Sequence, residues 1–318
     1  MPNRDQDAKA FDLSSASLPR KPPTDISLSD SSILRQSNIS LHRLNSTVDI
    51  NPKGIVSDFD ETIARGTGFF HDSHQGRFAW ALSQAVGGTT SGSLFSPEEW
   101  HRYAKASGQR EDAVIKEIAR THVEALGAEG DANSEELALR IEEHLKLLLN
   151  SKTTTYQLAK DTEVSLDEGV AKLHGAARER GVPFVICSAS SATIVERLWS
   201  FLYDGQEESI PRPPIVGNAA KKLEHGFSGA DVLDACEQNS IDPETAIMLG
   251  DSIGDVAAAF LAGIPDVYIR LPLSGMSEEE RERVQMTFTD QVLELPGMHP
   301  EISGNVYLIN DFSQLRFA

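Results

Sequence analysis

At 318 residues with 40% hydrophobic side chains, the chain is long enough for one large α/β core and a smaller module. A formal charge of −19 and a pI near 4.8 exclude long-range attraction to nucleic acid or to an anionic membrane surface. Two cysteines, Cys187 and Cys236, are too few for a disulfide framework and suit a reducing, cytoplasmic setting.

Residues 1–50 are rich in Ser, Asp and Pro and contain no sustained apolar periodicity and no hydrophobic signal segment. Their composition predicts a disordered N-terminal tail, because little apolar surface is available to offset the entropy of ordering. The next segment, Gly54-Ile-Val-Ser-Asp-Phe-Asp-Glu-Thr-Ile63, is a short apolar strand that delivers two carboxylates, Asp58 and Asp60. Two acids this close are stable only with a cation between them or a proton on one. Hard oxygen ligands of this kind suit Mg²⁺.

From residue 69 to 157 the pattern is helical, and the stretch is too long for a plain crossover. Ser96-Pro-Glu-Glu99 is a helix-start signature, and a further helix is predicted over 111–126. Leu137, Ile141, Leu145 and Leu148 form one apolar stripe behind Ser134. Phe69, Phe70, Phe78 and Trp80 suit the core of a helical bundle or the wall of a substrate pocket.

Alternating helix and strand then resume, with a helix predicted over 165–180 ending at Gly181. Val182-Pro-Phe-Val-Ile-Cys-Ser-Ala-Ser-Ser191 reads as a buried parallel strand that ends in hydroxyls before a helix starting near Ala192. Ser188 can donate to a phosphoryl oxygen there, while helix capping is the ordinary role for Ser190 or Ser191. Cys187 reads as an inert strand residue. A basic pair, Lys221 and Lys222, precedes a helix predicted over 228–239.

Ala246-Ile-Met-Leu-Gly-Asp-Ser-Ile-Gly-Asp-Val256 is a third apolar strand, followed by Asp251 and Asp255 at a spacing that shares one helix face. Asp251 can join Asp58 around Mg²⁺, with Asp255 orienting metal waters or a basic partner; helix capping and dipole roles fit either acid singly. Residues 267–271 and 305–309 read as later strands, the last at an edge. Residues 276–300 are charged, then loop-like, and carry no role that the sequence assigns.

The three motifs, in this order, resemble those of the haloacid dehalogenase superfamily of phosphohydrolases, with a helical insertion between the first two as in its phosphoserine phosphatase-like members. The resemblance implies a Rossmann-like parallel-sheet core over 51–68 and 158–318, with a helical cap over 69–157 that closes on a small phosphorylated metabolite. It further implies a Mg²⁺-dependent phosphatase in which Asp58 attacks phosphorus and Asp60 handles the leaving-group proton. Mg²⁺ would lie on Asp58, the backbone carbonyl of Asp60 and Asp251, with Asp255 behind them. Ser188 and a lysine would hold the phosphoryl oxygens. The chain departs from the family pattern at the third motif: the usual lysine interval reads Gly226-Phe-Ser-Gly-Ala-Asp-Val-Leu, and the nearest lysines lie upstream. Lys222, nearer the following helix, is the first choice and Lys221 the second. Two rival readings are a phosphotransferase or phosphomutase of the same superfamily, and a non-catalytic binding protein on a decayed phosphatase fold.

Overall fold

The computed structural model describes residues 33–36, 38–67, 75–87, 99, 111–125, 131–203, 211–223, 226–273 and 275–318. Its centre is an eight-stranded sheet in the order β1-β2-β13-β12-β11-β4-β7-β8. These strands are β1 (Ile33–Gln36), β2 (Ile39–Arg43), β4 (Gly54–Ser57), β7 (Phe184–Cys187), β8 (Ile215–Val216), β11 (Ala246–Gly250), β12 (Asp266–Ile269) and β13 (Gly304–Leu308). All neighbours pair in parallel except the edge pair β1–β2. Short accessory strands are β3 (Val48–Ile50), β5 (Ala64–Arg65), β6 (Ser165–Leu166), β9 (Lys222–Leu223), β10 (Gly226–Phe227) and β14 (Leu315–Phe317).

Alternation along the central strands builds two cores. Ile55, Phe184, Ile186, Ile247 and Leu249 project to one face, and Val56, Val185, Cys187, Met248 and Val267 to the other. The first face is covered by α5 (Glu168–Glu179) and α6 (Ala192–Leu202), the second by α7 (Ala230–Gln238), α8 (Ile253–Leu261) and α9 (Glu278–Met298). A parallel sheet buried on both faces gives the continuous apolar runs seen in β4, β7 and β11.

Among the described residues four helices lie between β5 and β6: α1 (Gln75–Ala85), α2 (Glu111–Ala125), α3 (Asp131–Asn150) and α4 (Lys152–Asp161). Leu137, Ile141, Leu145 and Leu148 of α3 are buried, as are Phe78 and Trp80 of α1. Helix α4 packs on α6, and α3 packs on α1 and α2. The expected boundary at 157/158 falls within the residues of α4. Phe69, Phe70 and the start signature at 96–98 lie outside the described residues.

Three expectations are corrected. Residues 33–50, expected within the tail, form β1, β2 and β3, and Ile39 and Leu41 are buried beside β13; residues 1–32 lie outside the described residues. Strand β13 consequently sits between β12 and β2 rather than at an edge. Residues 278–298 form helix α9, opened by Ser277 and Glu280 in a reciprocal cap and anchored by Phe288, Val292 and Leu295.

Candidate active site

The site assembles at the C-terminal ends of β4, β7 and β11, where a parallel sheet opens its ligand crevice. Asp58 follows β4 directly and is 6% exposed; its backbone N–H donates to Leu249 O at 2.9 Å, which fixes it against β11. The chain then turns sharply. Ile63 and Ala64 N–H both donate to Phe59 O, and Glu61 adopts φ 54°, with its carboxylate accepting from Thr67 N–H at 3.0 Å. This turn holds Asp60 beside β7, where its Oδ2 accepts from Ser188 Oγ at 2.9 Å. Asp60 Oδ1 is buried without a hydrogen-bond partner among the described residues.

Lys221 closes the site from the loop after β8. Its ammonium donates to Asp58 Oδ1 at 2.5 Å and to Asp255 Oδ1 at 2.8 Å, and the residue is 8% exposed. Lys222, the first choice from sequence, is instead the opening residue of β9, paired with Phe227. The β9–β10 hairpin occupies the interval before α7 where a lysine was expected, so the ammonium comes from upstream of the hairpin.

Asp255, in the first turn of α8 and 1% exposed, is tied down on both oxygens. Oδ2 accepts from Ser252 Oγ at 2.7 Å, Ser252 N–H at 3.1 Å and Asp251 N–H at 3.2 Å, while Oδ1 takes Lys221. Gly250 makes this approach possible, because a Cβ there would lie 2.5 Å from Asp255 Cβ and 2.7 Å from its Oδ2.

Charge separates these acids. Burial pushes the Asp58 carboxyl up to about 8, against the pull of Lys221, and Asp255 and Asp60 add to the rise. Asp251 is raised well above the usual carboxylate range, by burial first and then by Asp255 and Asp58. Burial acts on Asp255 in the same sense but loses to the Lys221 charge and to the donated hydrogen bonds, so its carboxyl is held low. Lys221 is likewise raised: burial opposes its charge, and Asp255 and Asp58 more than offset that. Asp255 and Lys221 are therefore a fixed ion pair, and Asp58 and Asp251 are left short of positive charge.

Carboxylate oxygens of Asp58, Asp251 and Asp255 lie within 4.8 Å of one another. They are hard donors without His or Cys, a set that fits Mg²⁺. With both Asp255 oxygens engaged, Asp58 and Asp251 are the carboxylates with capacity for a cation. Ser188 Oγ accepts from Ser190 N–H at 3.0 Å, and Ser191 caps α6 through Ile194 N–H. Burial pushes the Cys187 thiol up to about 12, which leaves it inert.

Sequence reading missed Arg270 and Asp167. Arg270 directly follows β12, is 7% exposed, and donates to the Glu61 carbonyl in the turn after Asp60. Asp167 caps α5 through Val170 N–H and also accepts from Arg65 at 2.5 Å, with Arg270 Nε at 3.5 Å. An arginine at the end of an otherwise apolar strand was the available signal.

A doubly covered, mainly parallel sheet with an acid-lined crevice and a buried ammonium at its strand ends defines a Rossmann-like α/β core. The chain belongs to the haloacid dehalogenase-like hydrolases, whose family model matches residues 52–263. Among curated proteins no match is found. Solved structures similar to it include CbbY from Rhodobacter sphaeroides in complex with phosphate, at 17% identity and TM-score 0.47, covering 83% of this chain and 96% of that one. Another is a HAD family hydrolase from Deinococcus radiodurans R1 with bound phosphate and sodium, at 18% identity and TM-score 0.44, covering 82% and 93%. A family IA, variant 3 HAD hydrolase from Entamoeba histolytica HM-1:IMSS matches at 15% identity and TM-score 0.44, covering 83% and 95%. Among the described residues no helix is long and apolar enough to cross a membrane.

Proposed function

We propose that this hydrolase is a Mg²⁺-dependent phosphomonoesterase acting on a small phosphorylated metabolite through an aspartyl-phosphate. The observation that supports this most is the Lys221 ammonium, wedged between Asp58 and Asp255 at 2.5 and 2.8 Å at the mouth of β4. Its position serves a carboxylate that attacks an anionic phosphorus, because it offsets charge on both reactants.

In this reading the Asp58 carboxylate attacks phosphorus in line and the ester oxygen leaves. Asp60, on the turn beyond, protonates that oxygen and then takes the proton of the water that opens the acyl phosphate. Ser188 holds Asp60 in place in the free protein and turns its one hydroxyl proton to a phosphoryl oxygen once substrate arrives. Asp255 positions Lys221 rather than touching substrate. Mg²⁺, held by Asp58, Asp251 and the Asp60 carbonyl, would supply charge neutralisation at the phosphoryl oxygens. The helices between β5 and β6 serve as the cap that shields the crevice from water.

Phosphate release from a panel of small phosphomonoesters, with and without chelator, tests the proposal. The expected result is release that stops on chelation and returns with added Mg²⁺. A rate indifferent to chelator would overturn the metal assignment, and transfer of phosphate to a second substrate without release would identify a phosphotransferase.

A further inference from the structure

The same end of the sheet holds a second feature of opposite charge. A cavity of about 380 Å³ is lined by Arg43, Arg65, Arg270 and Arg281, together with Asp311. These arginines come from β2, β5, the end of β12 and α9, so four separate segments bring guanidinium groups to one place. None of Asp58, Asp60, Lys221 or Asp251 lines it.

The local carboxylates do not match this charge. Asp167 is spent on the α5 cap and is shared between Arg65 and Arg270. Asp311 accepts from Ser313 N–H at 2.7 Å with one oxygen, and its other lies 3.6 Å from Arg65. Among the described residues neither Arg43 nor Arg281 has a carboxylate partner: Arg43 donates to the Gln285 side chain, and Arg281 Nε donates to Met276 O at 3.1 Å. The wall itself sets four guanidiniums against one aspartate, Asp311, with Asp167, Glu61 and Asp251 acting on Arg270 from outside it, in a chain whose formal total is −19. Burial first, then the neighbouring Arg65 charge, pull the Arg270 guanidinium below its ordinary value, while Asp167, Glu61 and Asp251 act against that fall.

We propose that this cavity is a second binding site, separate from the acid centre, for a small organic molecule bearing an oxyanion. Planar guanidinium forks pair bidentately with phosphate or carboxylate oxygens, which a row of ammonium groups would not do. Leu271 and Leu308 give the wall an apolar part, which accommodates a carbon skeleton behind the anion. The volume falls within the range of small-molecule sites, roughly 300–1,000 Å³. Arg270 joins the two sites physically, since its backbone N–H donates to Gly250 O at 3.0 Å and its side chain donates to Glu61 O.

The test is calorimetric titration of the full-length, chelator-treated protein at low ionic strength with inorganic phosphate and, separately, with citrate. A probe held at the acid centre instead would be insensitive to the Arg43 and Arg281 variants, because neither arginine belongs to that centre. The expected result is saturable binding of at least one probe, weakened at least about tenfold by Arg281→Gln and further by the Arg43→Gln/Arg281→Gln pair. Lys172→Gln, the same charge change on exposed α5, is expected to leave it unchanged. Tighter phosphate assigns the site to a phosphoryl group, and tighter citrate to a carboxylate. Arg281 is exposed, so its variant retains the fold, which circular dichroism verifies. Absence of saturable binding to the folded wild type overturns the proposal, as does undiminished binding in the double variant or an equal loss in Lys172→Gln.

Discussion

Two regions at one end of the same sheet are built from opposite charges. At β4, β7 and β11, buried carboxylates surround a single ammonium. At β2, β12 and β13, guanidiniums surround committed aspartates. The first region is compact and locked by hydrogen bonds to backbone and to Ser252, and its acids outnumber its one ammonium. The second is open and carries positive charge in excess. Position on a parallel sheet therefore sets where ligands bind, while the residues at each strand end set what binds there. An acidic crevice that needs a cation and an arginine cavity that needs an anion are chemically distinct, and they can be perturbed separately.

The largest effect is expected at the acid centre. Asp58→Asn keeps the shape but removes the nucleophile, and phosphate release should fall at least about 10⁴-fold with the circular dichroism spectrum unchanged. Substantial turnover by the folded variant would place the nucleophile elsewhere and break the comparison at its first term.

Lys221→Ala comes next, with turnover lowered at least about tenfold, because a charge-assisted hydrogen bond in the transition state is lost. It also leaves Asp255 buried without its partner, so a fall in stability on the order of 3 kcal/mol accompanies it, read by urea unfolding. Lys222→Ala is expected to be milder on both counts, the reverse of the order that sequence position alone suggests. Equal effects from the two would argue that the pairing with Asp58 does not matter to the chemistry.

Deleting residues 1–50 should lower the melting temperature by roughly 5–15 °C, since buried Ile39 and Leu41 leave β13 uncovered and Arg43 is lost from the cavity. An unchanged melting temperature would mean that β1 and β2 contribute little to the sheet.

The smallest effect belongs to neither region and has to be separated from both. His174, 6% exposed and packed on Phe184 and Trp199, is lowered from 6.5 to about 4 by burial, with Arg178 adding to the shift. Between these values the unfolded chain binds the extra proton. Its contribution is therefore complete above pH 6.5 and fades as pH falls towards 4, by at most a few kcal/mol. His174→Leu should flatten that part of a urea midpoint–pH curve. A slope unaltered by the substitution would assign the acid sensitivity to another group.

The acid centre was largely legible because its parts are local. Each of β4, β7 and β11 is a continuous apolar run followed at once by acids or a hydroxyl, and the structure brings Asp58, Asp60, Ser188, Asp251 and Asp255 to one edge. Lys221 was legible only as one of a pair, because a two-strand hairpin shifts the register between it and α7. The arginine cavity was not legible at all: its four arginines lie far apart in sequence, and none sits in a motif. Strands β1 to β3 are only three to five residues each among Ser and Asn, too short to show a period. Helix α9 has no apolar stripe in its first half, and Pro296-Gly297 at its end reads as a break.

The central claim is that Asp58 takes up the phosphoryl group, and acid-quenched turnover in the presence of Mg²⁺ followed by peptide mass spectrometry tests it most directly. The account predicts the mass of one phosphoryl group on the peptide carrying Asp58, labile to hydroxylamine and absent after chelation. Phosphate release with no covalent species on that peptide, or with the phosphoryl group on a different residue, would contradict it.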